Sequence, residues 1–102
     1  MQLARVKGHV VATAKVERLK GQKLLLVEVA AARQEGLEWT GRYLVCVDSV
    51  GAGEGEFVLV VSGSSARIAA GMKDMPTDAV IVGIVDSLHA YGQGLDLSPG
   101  QE

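Results

Sequence analysis

The side chains of this 102-residue chain that could do chemistry are few and widely spaced. His9 and His89 have no histidine or cysteine near them at the spacing a metal site uses, and the single Cys46 cannot build a closed zinc site. No metal or cofactor is expected. Ser64 and Ser65 would need a base and an orienting acid to act as nucleophiles, whereas their place just ahead of Ala66-Arg67-Ile68 fits the capping of a short helix. Asp48, Asp78 and Asp86 fall at the ends of apolar runs, where a carboxylate commonly accepts N–H bonds from the following turn. Cys46 stands within Tyr43-Leu44-Val45-Cys46-Val47 with no cationic neighbour, so packing is its expected role. Arg67 has two readings: a guanidinium that grips a carboxylate across a subunit boundary, or an ordinary surface arginine. No set of nucleophile, base and orienter can be assembled from these residues, and the chain is not expected to be an enzyme.

Gly51-Ala52-Gly53-Glu54-Gly55 has the glycine content of a phosphate-cradling loop. Such loops lead into a helix whose N-terminus holds the anion, but here a strand follows, no Lys-Ser/Thr pair is present, and Glu54 and Glu56 would repel phosphate. A turn or an assembly loop is the better reading.

The elements that must position these residues are mostly strands. Leu3 to Thr13 alternates, with Ala4, Val6, Gly8, Val10 and Ala12 on one face and Arg5, Lys7 and His9 on the other. A second strand runs from Lys23 to Val29, a third from Arg42 to Asp48, a fourth from Glu56 to Val61 and a fifth from Ala79 to Asp86. Ala30 to Gly41, with its two glycines and several charges, reads as a connection with a helical turn at Ala30-Ala31-Ala32-Arg33 and Trp39 as a lid on the core edge. A short helix is expected between Ser64 and Gly71. The tail from Ser87 to Glu102 is expected to fray unless Leu88, Tyr91 and Leu95 dock it.

The predicted fold class is therefore mainly β, a small five-stranded OB-like β-barrel with one short helix. At this length one core is possible and two are not. The apolar share is 48% but aromatics make up only 4%, so Val, Leu, Ile and Ala must build that core. Formal net charge is −2 and the basic residues are scattered, which argues against nucleic acid as a partner. A single-stranded nucleic-acid-binding module on the same barrel is the rival reading, and it lacks a basic groove with stacking aromatics. One cysteine, no apolar stretch of signal-peptide type at the N-terminus and no run of membrane-spanning length predict a cytoplasmic protein without membrane contact.

Strands two, four and five are apolar on both faces, whereas an antiparallel monomeric barrel needs apolar residues only on its inward face. The outward Val and Leu residues need cover, and a neighbouring copy is the most economical source.

Taken in order, Leu3 to Thr13, Lys23 to Val27, Val47-Asp48-Ser49-Val50-Gly51-Ala52-Gly53-Glu54-Gly55-Glu56, Ser62-Gly63-Ser64-Ser65-Ala66-Arg67 and Pro76 to Asp86 resemble the EutN/CcmL family of bacterial microcompartment vertex proteins. The resemblance covers residues 1–86 as a barrel domain and leaves 87–102 as a C-terminal extension, partly docked or flexible. It implies a subunit that assembles as a ring, a homopentamer capping the five-fold corners of a shell whose other tiles are hexameric and pseudohexameric proteins. It also implies subunit contacts or a central opening at Val50, Gly51, Ala52, Gly53, Glu54, Gly55, Glu56, Ser62, Gly63, Ser64, Ser65 and Arg67. The sequence departs from the family's usual pattern at Ala4, at His9 and in a longer segment from Gln34 to Arg42.

Overall fold

A computed structural model describes residues 1–11, 23–62 and 79–97. Seven strands are present among them: β1 Gln2–Val10, β2 Leu24–Arg33, β3 Gly36–Asp48, β4 Phe57–Ser62, β5 Ala79–Val85, β6 Ser87–Ala90 and β7 Gln93–Asp96. The first five close into a barrel in the order β1-β2-β3-β5-β4, and the last two form a separate hairpin. The expected five-stranded OB-like barrel is thus present, and the expected helix at Ser64–Gly71 lies outside the described residues.

All barrel pairings are antiparallel except one. β3 meets β5 in parallel at Val47↔Val80 and Asp48↔Ile81, and this short contact completes the closure. Alternation then sorts the side chains, because successive residues of a strand point to opposite faces. Ala4, Val6, Leu25, Val27, Cys46, Val58, Val60, Ala79 and Ile81 fill the interior together with Ala52 from the loop after β3. Small side chains on β1 suit so narrow a core, and Cys46 is fully buried within it. Val47, Val61 and Val80 form a second buried cluster against Leu24 and Val82. Burying each such valine stabilises the fold by about 1.5–3 kcal/mol, so apolar residues on both faces of β4 and β5 contribute to one chain's own stability.

Two expectations are corrected. Residues 30–41 are not a connection with a helical turn. β2 and β3 continue as one long hairpin in which Ala30, Ala31, Ala32 and Arg33 face Trp39, Glu38, Leu37 and Gly36. The helix propensity of three alanines amounts to tenths of a kcal/mol each and loses to a ladder of backbone hydrogen bonds. Gly36 follows the two-residue turn with φ +127°, which a side chain rarely adopts. Gly41, with φ +75°, sits where the register shifts between Glu28 and Ala30.

The alternation of β1 also breaks. An irregularity between Val6 and Gly8 shifts the register, so His9 and not Gly8 lies opposite the buried Leu25. Of the tail, Ser87–Asp96 is a hairpin with Leu88 opposite Leu95, while Tyr91 is exposed at its turn. The Leu97 amide donates to the Asp86 carbonyl at 2.8 Å, which continues the hairpin's pairing by one residue on each side.

Candidate assembly surface

The loop between β3 and β4 is built from anchors. Asp48 Oδ1 accepts the amides of Val50 at 3.0 Å and Gly51 at 3.1 Å, which is the turn role expected of a strand-end aspartate. The Ser49 hydroxyl donates to the Ile81 carbonyl at 2.6 Å. Ala52 is fully buried in the barrel core, and its carbonyl accepts Lys23 Nζ at 2.8 Å. Glu56 Oε1 accepts the Gly53 amide at 2.6 Å, and the Glu56 amide donates to the Gly53 carbonyl at 3.1 Å. Arg5 Nε donates to the Gly55 carbonyl at 3.1 Å, while the Gly55 amide donates to Val6 and the Val6 amide to Glu56. Each such bond contributes about 0.5–1.5 kcal/mol net, and together they leave Ser49, Val50, Gly51 and Glu54 as the exposed points of a fixed loop.

Of the residues expected at subunit contacts, the fold brings Val50 to Glu56 together in this loop. Ser62 ends β4 opposite Ala79, two positions from the Ile81 that Ser49 grips. Gly63, Ser64, Ser65 and Arg67 lie outside the described residues. The anchors Arg5 and Lys23 were not legible as such, because they reach the loop across 50 and 29 positions of sequence.

A second surface lies on the outer side of β1, β2 and β3. Tyr43 and Val45 are 54% and 50% exposed, and Val45 alternates with the buried Cys46, so it points away from the barrel. Leu26 stands opposite Val45 on β2, half-buried. Trp39, expected as a lid on the core edge, is 41% exposed and packs against the buried Phe57, with ring centroids 5.9 Å apart. Lys7 Nζ stands 4.8 Å from the Trp39 ring centroid and 3.7 Å from Glu28 Oε1, and the Arg5 guanidinium stands 5.6 Å from the Phe57 ring centroid. Glu28 is buried on this side, and its Oε2 accepts the Gly41 amide at 3.2 Å. These cations and aromatics are engaged with one another beside a half-exposed apolar face.

A closed five-stranded barrel with a stapled glycine loop and a half-exposed outer face defines a small OB-like β-barrel subunit. The chain belongs to the EutN/CcmL family, whose model, described as ethanolamine utilisation protein EutN/carboxysome, matches residues 1–86. It is 49% identical over 95 residues to the carboxysome shell vertex protein CcmL of Synechocystis sp., covering 93% of this chain and 92% of that protein. It is 44% identical over 93 residues to the bacterial microcompartment shell vertex protein EutN of Salmonella typhimurium, covering 91% of each. Among solved structures, the GrpN pentameric microcompartment shell protein from Rhodospirillum rubrum matches with TM-score 0.75 and 44% identity over 88% of this chain and 99% of that one. These relatives are two shell vertex proteins and a pentameric shell protein.

Proposed function

We propose that this chain is the vertex subunit of a bacterial microcompartment shell, five copies closing into a ring that caps a five-fold corner. The observation that carries the reading is near-full-length identity of 49% to a shell vertex protein. The geometry is compatible with it. A sheet of six-fold tiles cannot close by itself, and a five-fold unit needs a head-to-tail interface in which one surface of each copy meets a different surface of the next. The chain offers two such surfaces, the fixed loop Val50–Glu56 and the outer apolar face with Tyr43 and Val45.

Under this reading Val50–Glu56 and Ser62–Arg67 meet neighbouring copies or border the central opening. The family domain spans residues 1–86, and 87–102 is an extension. Hexameric and pseudohexameric shell tiles are the outer neighbours, the shell lies in the cytoplasm, and the role is structural, with no catalysis and no nucleic-acid partner. Native mass spectrometry tests it: a pentamer at micromolar concentration is expected, and a monomer or dimer there would sink the reading. Co-expression with hexagonal tiles tests the capping role, because closed particles forming equally well without this chain would remove it.

A further inference from the structure

Lys23 and Asp48 stand at a junction that ring closure alone does not require. Asp48 sits in the parallel contact that closes the barrel, and its side chain is 1% exposed. Oδ1 is occupied by two loop amides, but Oδ2 is buried with no hydrogen-bond donor. Lys23 Nζ lies 3.5 Å from Oδ2 while donating to the Ala52 carbonyl at 2.8 Å. The backbone binds the same two residues, the Asp48 amide donating to the Lys23 carbonyl at 2.9 Å. A buried carboxylate oxygen without a donor is costly unless a cation stays beside it.

We propose that Lys23 is a positioning residue for assembly: its ammonium, bridging the Asp48 carboxylate and the Ala52 carbonyl, fixes the Ser49–Glu56 loop in the shape that meets the next copy. This rests on the vertex reading, since it takes the loop to be a subunit contact. Ala52 is the pivot. Its methyl group is sunk in the barrel core while its carbonyl is held by Lys23, so depth and orientation are set together. Val50 and Gly51, between the anchors at Asp48 and Ala52, are then ordered before they meet a partner, and association does not bear that ordering cost.

The test is a dilution series of the full chain by native mass spectrometry, with circular dichroism to check the strands. Lys23→Met is expected to keep the strand signal and raise the concentration of half-dissociation about tenfold, because it strands a buried carboxylate. Lys23→Arg, which keeps the charge, should restore most of the loss. In Asp48→Asn, where the charge is gone and the amide oxygen still accepts both loop N–H groups, adding Lys23→Met should raise the half-dissociation concentration only about threefold, the share left to the lost bond to the Ala52 carbonyl. That comparison decides the matter even if Lys23→Met alone does not fold, because a larger change there overturns the coupling. Lys23→Met dissociating like the wild type overturns it as well. A wild type that is not a pentamer sinks the vertex reading and this proposal together, whereas a pentameric wild type with an indifferent Lys23 sinks this proposal alone.

Discussion

The loop from Asp48 to Glu56 and the hairpin tip from Ala31 to Thr40 use the same residue vocabulary, glycines set among polar side chains, and they end in opposite physical situations. The loop is held by side chains from β1, from the residue before β2 and from its own two ends, and it sinks Ala52 into the core. The tip is held by the ladder between its own two strands, by the Thr40 hydroxyl donating to the Val29 carbonyl at 2.6 Å, and by an exposed Arg33–Glu38 pair. Its residues from Glu38 to Tyr43 are all exposed. Two strands alone are marginally stable in water. Glycine content therefore says where the backbone takes positive φ, and distant anchors decide whether the segment is fixed.

The largest effect expected from this contrast comes from placing the same charge in both regions. Ala52→Asp buries a carboxylate among apolar side chains and should cost about 3–5 kcal/mol, enough to unfold a domain of this size or nearly so. Ala32→Asp at the exposed tip should stay within about 0.5 kcal/mol. Urea unfolding followed by circular dichroism checks both, at matched protein concentration because assembly shifts apparent stability. Equal costs at the two sites would end the distinction between anchored loop and free tip.

Next in size is Asp48→Ala. It removes the acceptor of two loop amides and leaves Lys23 without its carboxylate, for an expected loss of about 1–3 kcal/mol. Hydrogen exchange at the Val50 and Gly51 amides should rise with it, while the amides of β4 stay protected. A uniform rise across the barrel would show instead that Asp48 acts on the parallel β3–β5 closure and not on the loop. Below that come Gly51→Ala and Gly36→Ala, each about 1–2 kcal/mol. Both glycines have positive φ, +79° and +127°, and neither has an atom within 4 Å of where a Cβ would go, so the cost is backbone strain in both regions alike. Different signs for the two would point to a contact at one of them that the subunit alone does not contain.

How much of this could be read in advance follows the range of the interactions. β4 and β5 were legible because a short apolar run bounded by turn residues has few other uses, and the turn role of Asp48 was legible because its partners lie two and three residues on. The tip was not. Ala30-Ala31-Ala32-Arg33 favours helix locally, Glu38 to Tyr43 is exposed on both faces and carries no period, and only the opposing strand decides the outcome. The register shift after Val6 likewise depends on β2, so the cross-strand partners of Gly8 and His9 were not legible. Of the contact surface, the loop could be located but not its long-range anchors, and the outer aromatic cluster of Trp39, Phe57, Arg5 and Lys7 depends on which strands become neighbours.

The smallest expected effect is the sharpest test of what holds the tip. Arg33 and Glu38 face each other across the turn with Nη2 and Oε1 3.4 Å apart, and both side chains are more than half exposed. Water screens such a pair, and holding two long side chains in one geometry costs entropy, so Glu38→Ala should change stability by less than about 0.5 kcal/mol. Thr40→Val replaces a hydroxyl that donates to Val29 and accepts the Arg42 amide, and it should cost more, about 1 kcal/mol. The order matters more than either value. If Glu38→Ala were the costlier of the two, the tip would be held by charge at its end and should weaken with added salt. If Thr40→Val is costlier, the bulge at Thr40–Arg42 holds it, and the tip stays a ladder pinned at its base whatever the ionic strength.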